Sequence, residues 1–279
     1  MHGTQKSRPL DDIDIYLPLD GANLSYYEHG VTTPYTVLSD RLGWNPLLTP
    51  RWAIGSYVSS TKLIDEFAVV VKRRFPQTKV RPNGQAVSVR MTHGESLSSD
   101  GLGYDVVPCF SLSPHQQGDR QFYLMPDGGG GWMRTNPKVD AARADILQDN
   151  HNKLFRKVVK LLKYWNAEYL NGVIRSYFIE LSIARVFWEK AVKSESITLL
   201  SYGVALAFWA VRQAVTKGSL EPWIANAPLV YPGTLLAGQR LMLNSDTDLA
   251  CAAWEDETAG RNASAAAKWK RIFGDKFPD

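Results

Sequence analysis

The feature that most constrains the fold is a change of hydrophobic period at the glycine run Asp127-Gly128-Gly129-Gly130-Gly131. Before it, apolar residues fall mainly in short alternating runs, the period of half-buried strands. After it they recur at three- and four-residue spacing, the period of helices. The order implies an α+β chain with a sheet-containing part over 1–135 and a helical part over 136–279. The glycine run lacks the Gly-Lys-Ser/Thr ending of a phosphate-cradling loop and reads as a flexible turn, with a lid over a site as the alternative.

The first part carries the candidate chemistry. In Asp11-Asp12-Ile13-Asp14-Ile15-Tyr16-Leu17-Pro18-Leu19, strand alternation puts Asp12 and Asp14 on one face and Ile13, Ile15 and Leu17 on the other. Two carboxylates side by side repel unless a cation lies between them, and a divalent metal is the candidate. A solvated strand end is the bland alternative. A second run, Tyr104-Asp105-Val106-Val107-Pro108-Cys109-Phe110, sets one acidic residue among apolar neighbours, where an unpaired buried charge is costly. If the two strands are neighbours, Asp12, Asp14 and Asp105 converge, enough oxygen donors for Mg²⁺.

Between these runs, Gly21 to about Thr49 reads as a loop. Ile64, Phe67, Ala68 and Val71 read as one helix face, closed by Lys72-Arg73-Arg74 before Pro76. A hairpin follows, with Asn83-Gly84 as its turn and Ala86 to Met91 as the returning strand, and Gln121 to Met125 is a further strand. Thr135-Asn136-Pro137 marks a helix start.

In the helical part, Asn150 to Leu170 reads as one helix. Leu154, Val158, Leu161 and Trp165 lie on one face, and Lys153, Arg156, Lys157, Lys160 and Lys163 form a basic stripe on another. Such a stripe is commonly a solvated face. Here a second helix opens at Arg175-Ser176-Tyr177-Phe178-Ile179-Glu180-Leu181 after a short turn. A lysine on one helix and a serine at the start of its antiparallel neighbour can grip a triphosphate together. The apolar run Ile197 to Val215 reads as a buried helix rather than a membrane span.

Composition narrows the class. The 279 residues are 44% hydrophobic, enough for one large or two modest domains, and the net charge of +4 suits nucleotides without demanding a nucleic-acid partner. Cys109 and Cys251 match no zinc or disulfide spacing, and the histidines form no ligand motif. With no secretory signal at its start, the chain is expected to be cytoplasmic.

In its order of motifs the chain resembles the bacterial CD-NTases, relatives of cyclic GMP-AMP synthase and oligoadenylate synthetase in the DNA polymerase β-like nucleotidyltransferase superfamily. The resemblance rests on the Asp-x-Asp strand, the Asn-Gly hairpin, Tyr104 to Pro108, Thr135 to Lys138, Leu161-Leu162-Lys163-Tyr164-Trp165 and Ser176 to Glu180. It extends to Asn244 to Ala250 and Ala266 to Pro278 in the tail. It implies a nucleotidyltransferase core with a mixed sheet, an oligoadenylate-synthetase-like helical domain and an active site in the cleft between them. Asp12, Asp14 and Asp105 match the metal triad, with Asp105 also helping to activate the attacking hydroxyl. Lys163 and Ser176 match triphosphate contacts, and Tyr177 matches an aromatic that stacks on a base.

The implied reaction is attack of a ribose hydroxyl on the α-phosphate of a nucleoside triphosphate, ATP or GTP foremost, with Mg²⁺ or alternatively Mn²⁺. Repetition and ring closure would give a cyclic oligonucleotide second messenger for antiphage defence of the CBASS type. Regulatory or effector proteins of a defence operon are the implied partners. A double-stranded DNA activator is disfavoured, because no zinc-ribbon spacing is present. The family's Gly-Ser motif upstream of the Asp-x-Asp strand is missing, with Gly3-Thr4 resembling the residues that follow it. That departure implies either a shortened chain or a variant with weakened catalysis. The alternative reading is therefore a catalytically silent member that binds a nucleotide or a protein as a sensor or scaffold. A polymerase acting on RNA ends is a more remote third, for want of an RNA-binding domain.

Overall fold

The computed structural model describes residues 13–21, 24–27, 36–38, 52–55, 57–90, 103–112, 122–223 and 229–274. The described residues divide into two compact units, one up to Asn136 and the other from Pro137 onward.

The first unit is built on a mixed sheet of six strands. These are β1 (Ile13–Leu19), β6 (Lys79–Asn83), β7 (Ala86–Arg90), β8 (Gly103–Ser111), β9 (Tyr123–Pro126) and β10 (Trp132–Thr135). The long β8 is its axis. It pairs with β1 in parallel along one edge, and with β7 and then β9 antiparallel along the other. One face of the β6–β7–β8 region carries Val80, Val87, Val89, Tyr104 and Val106, which pack on Ile64, Phe67, Ala68 and Val71 of helix α1 (Ser60–Arg74). The opposite face carries Lys79, Arg81, Asn83, Ser88, Arg90 and Asp105, together with the buried Ala86 and Val107.

The apolar spacing on α1 explains its docking, and its ends explain its limits. Ser59 caps the first turn by accepting from the Lys62 N–H at 3.4 Å, and the last turn carries Lys72, Arg73 and Arg74 beside the free carbonyls. A second cluster forms around Phe110, Leu124 and Trp132, whose indole N–H donates to the Val58 carbonyl at 2.9 Å.

Several sequence expectations shift here. The Gly21 to Thr49 region, expected as a loop, contributes β2 (Ser25–Tyr27) and β3 (Thr36–Leu38). With β4 (Ala53–Ile54) and β5 (Tyr57–Val58) they make a second, four-stranded sheet. The glycine run is the turn between β9 and β10, where the Asp127 carboxylate accepts from the Gly129 and Gly131 N–H groups at 2.7 and 3.0 Å. That pinning makes it a fixed Asx-type turn. The hairpin turn also lies one residue later than expected. Asn83 pairs with Ala86, so the two-residue loop is Gly84-Gln85, and Gly84 (φ 60°) supplies the positive φ that a glycine-first loop requires.

The second unit is helical: α2 (Pro137–Asn150), α3 (Phe155–Tyr169), α4 (Ser176–Val192), α5 (Leu200–Lys217), α6 (Ala237–Thr258) and α7 (Asn262–Phe273). The helix expected from Asn150 starts at Phe155, because residues 151–154 form a turn with Asn152 and Lys153 at positive φ. The core centres on Trp165, whose ring meets Phe208 edge-on at 4.9 Å and whose N–H donates to Asp246 on α6 at 2.8 Å. Gly203 lets α5 approach α3 closely, since a Cβ there would meet Val158 at 3.0 Å. The helical register of α3 buries Val158, Val159, Leu162 and Trp165, and leaves Leu161 only partly covered. Asp256 closes the α6–α7 corner by accepting from Arg261, Ser264 and Lys268, contacts that hold its carboxyl well below the usual range. Among the described residues, no helix is long and apolar enough to cross a membrane.

Candidate metal centre and phosphate contacts

The parallel pairing of β1 with β8 sets Asp14 directly beside Asp105. Side chains of register partners project to the same face, so two carboxylates from distant parts of the sequence share one patch, on the face opposite α1. Asp14 is exposed and Asp105 half-buried. The Ser88 hydroxyl on β7 donates to the Asp105 carboxylate, and the Asn83 amide donates to the same hydroxyl at 3.2 Å. Asp105 is therefore oriented by a relay through the buried Ser88, with its remaining oxygen lone pairs available to a ligand.

Asp12 lies outside the described residues. Among the described residues no cluster of three or more His, Cys, Asp or Glu forms. The Asp14 and Asp105 pair nevertheless fits the expected metal. Both are oxygen donors, and Mg²⁺ commonly takes one or two carboxylates and completes its octahedron with waters and substrate phosphates.

Ser88 was not legible as a functional residue, because a serine in an alternating strand reads as an ordinary polar position. The signal lay in the two registers of β7, with β8 and with β6. With the loop at Gly84-Gln85, Arg81 opposes Ser88 and Ser88 opposes Asp105, whereas a turn at Asn83-Gly84 would set Arg81 against Ala86. Ser88→Ala is expected to lower any turnover that depends on Asp105 by about tenfold, since removing a group that orients a metal-binding carboxylate has that typical effect. The loss should fall mainly on kcat, with a smaller change in the nucleotide KM. Steady-state kinetics at saturating Mg²⁺ reads both, and a change confined to KM would count against the positioning role.

In the second unit, α3 and α4 run antiparallel through a turn that Asn166 builds. Its buried side chain donates to the Ile174 carbonyl at 2.8 Å and accepts from the Ile174 N–H at 3.1 Å, while Asn171 and Gly172 take positive φ. This turn brings Lys163 to α4, where its ammonium donates to Glu180 at 2.9 Å. Ser176 is the first residue of α4, one turn before Glu180 on an exposed helix start, and Tyr177 beside it is 38% exposed. Lys163 and Ser176 thus lie on neighbouring helices as expected, with Glu180 on the ammonium. An incoming phosphate has to compete with that carboxylate. The pair is about one-third exposed, so the competition is weak.

Asp140 on α2 adds a second acidic group. Its pKa is raised to about 6, chiefly by burial; the Arg143 guanidinium lowers it and the charge of Glu180 adds to the rise. The rest of the basic stripe is partly self-neutralised, with Arg156 bonded to Asp145 at 2.6 Å and Lys153 to Asp149.

Comparison with known proteins adds the following. No family model matches the chain. A probable cyclic nucleotide synthase of Bacillus cereus strain VD146 is 24% identical over 284 residues, an alignment covering 98% of this chain and 78% of that protein. Among solved structures, Escherichia coli DncV in its 3′-deoxy GTP bound form has a TM-score of 0.54 at 13% identity, over 80% of this chain and 60% of DncV. CdnC of E. coli MS115-1, solved as a complex with HORMA-deltaN, gives 0.50 at 18% identity, over 79% of this chain and 73% of the CdnC chain. The chain spans less than two thirds of DncV.

Proposed function

Because the chain is a relative of a cyclic nucleotide synthase and has the fold of the bacterial CD-NTases in the polymerase β-like superfamily, we propose that it joins nucleoside triphosphates into a cyclic oligonucleotide. The observation that carries this reading is the side-by-side placement of Asp14 and Asp105 on parallel neighbouring strands, with Ser88 orienting the second.

In the step proposed, a ribose hydroxyl oxygen bonds to the α-phosphorus of a second nucleotide. The bond from that phosphorus to the bridging oxygen breaks, pyrophosphate leaves with the bonding electrons, and the hydroxyl proton passes to Asp105. Mg²⁺, bound by Asp14 and Asp105 and completed by Asp12, would supply charge neutralisation at the reacting phosphate. Lys163 would take the triphosphate as a point charge, Ser176 would donate a hydroxyl to it, and Tyr177 would stack on the base. The first unit would then be the catalytic core and the helical unit a substrate-holding domain. ATP and GTP are the proposed substrates. A signal in antiphage defence, with a regulatory or effector protein as partner, is the proposed setting; CdnC was solved in complex with HORMA-deltaN.

The test is incubation with Mg²⁺ or Mn²⁺ and all four NTPs, followed by phosphatase treatment and mass spectrometry, with the Asp12→Asn/Asp14→Asn protein alongside. A phosphatase-resistant oligonucleotide that disappears in the double variant is the expected result. NTP binding without product in either protein would replace this reading with that of a silent nucleotide-binding member.

A further inference from the structure

The polar face of the sheet continues beyond the carboxylates into a basic hollow. A cavity of 420 Å³ is lined by Lys72, Lys79, Val80, Arg81, Ser88 and Arg90. The register explains the gathering. Arg81 on β6 opposes Ser88 on β7, Ser88 opposes Asp105 on β8, and Asp105 lies beside Asp14 on β1, so one row crosses four strands from guanidinium to carboxylates. Lys79 opposes Arg90 in the next row on the same face. Lys72 reaches the hollow from the end of α1 with its ammonium held by the Pro76 and Thr78 carbonyls at 3.0 and 2.7 Å. One of its three N–H donors remains for a ligand.

Cations on an edge strand such as β6 ordinarily serve to block pairing with other chains. That role does not account for charges from three separate elements converging on one concavity. Nor does it account for the hollow sharing Ser88 with Asp105. Four cations around a hydroxyl match a compact polyanion rather than a single carboxylate, and the volume suits the phosphates of one nucleotide rather than a length of nucleic acid.

We propose that this hollow binds the 5′-phosphates of the nucleotide whose hydroxyl attacks, and so makes the protein select a phosphorylated acceptor over a bare nucleoside. The proposal rests on the nucleotidyltransferase reading above. Two strand spacings, about 10 Å, separate β6 from β8. An acceptor lying along the row would reach Asp105 with its sugar hydroxyl while its phosphates meet Arg81, Lys79 and Arg90. The donor triphosphate is assigned to other residues, Lys163 and Ser176, so the two phosphate groups do not compete for the same cations.

The experiment titrates a non-reacting α,β-methylene NTP analogue by calorimetry in Mg²⁺, into wild type, Lys79→Gln/Arg81→Gln and Lys79→Arg/Arg81→Lys. Both positions are exposed, so the first double variant leaves the core intact, and circular dichroism checks that it does. Wild type should bind two analogues per chain. The Gln variant should lose one site or weaken it by about a hundredfold, the effect of two lost charge-assisted contacts at about tenfold each. The charge-preserving variant should keep it.

With ATP as donor, the Gln variant should raise KM for a nucleotide acceptor and leave KM for a nucleoside acceptor unchanged. Equal stoichiometry and affinity in wild type and the Gln variant overturn the proposal. So does a short RNA oligonucleotide that binds wild type and not the variant while analogue binding is unaffected. If no protein gives product yet the variant loses a nucleotide site, the catalytic reading falls and the hollow is a nucleotide-phosphate site without an acceptor role. The two failures are therefore distinguishable.

Discussion

Replacing His151 by leucine is expected to lower the stability of the helical unit at pH 7.5 by about 3 kcal/mol, the combined penalty of two buried polar groups left without partners. His151 is fully buried in the turn between α2 and α3. Its Nδ1 accepts from the Ile197 N–H at 3.1 Å, and its Nε2 lies 2.8 Å from the Phe187 carbonyl. An accepting Nδ1 fixes the proton on Nε2, so the ring is neutral and bridges the α2–α3 turn, α4 and the lead into α5. Leucine fills the space against Phe187 but strands a buried N–H and a buried carbonyl.

The pH dependence follows with a definite sign. Burial depresses the folded-state pKa of His151 below its ordinary 6.5. Below pH 6.5 the unfolded chain binds a proton that the folded chain refuses. The wild type therefore loses stability as pH falls from 6.5 toward the folded pKa, at up to about 1.4 kcal/mol per pH unit. The leucine variant lacks this contribution, so its deficit should shrink between pH 7.5 and 5.5. Urea titrations followed by far-UV circular dichroism at the two pH values read the difference directly. A deficit of constant size would rule out the neutral bridge.

Asp105→Asn is expected to reduce nucleotidyl transfer by about 10³-fold, the scale of losing a preorganised electrostatic contact at a reacting phosphate. The substitution keeps the side chain's size and still offers an oxygen to the Ser88 hydroxyl, so the fold should survive. In metal-free buffer the variant should melt no lower than wild type, because it removes the repulsion between Asp14 and Asp105. Added Mg²⁺ should raise the melting temperature of the wild type and not that of the variant, by mass action on the folded state. This second measurement does not depend on turnover. A variant that keeps both its activity and its Mg²⁺ response would remove Asp105 from the proposed metal centre.

The parts of the fold legible in the sequence were those where one period ran uninterrupted. Strand β8 and helix α1 declare themselves, because a short continuous apolar run with β-branched residues reads as a buried strand and helical apolar spacing as a docked helix. The helix start at Pro137 was equally plain, since proline after a capping residue has few other uses. Short strands β2 to β5 were not legible. Two or three residues carry no measurable period, and such strands exist only because partners distant in sequence complete their ladders. The start of α3 was misplaced for a local reason: Asn152 and Lys153 adopt positive φ, which no apolar pattern records. At the candidate site, Asp14 and Asp105 stood out because acidic residues are conspicuous inside apolar strands. Ser88 and the basic hollow did not, because they depend on how β7 registers with β8 and, through a one-residue choice of turn, with β6.

The parallel ladder between β1 and β8 has a consequence for how the protein matures. It joins strands from distant parts of the chain, so the pair Asp14 and Asp105 cannot exist until a long loop has closed, a step whose entropic cost precedes its reward. Hairpins such as β6–β7 and β9–β10 can form locally and early, and would present Ser88 and the cations before any carboxylate pair exists. Capture of the proposed metal would thereby be tied to topological completion: a nascent or partly misfolded chain would present the basic hollow without the carboxylate pair.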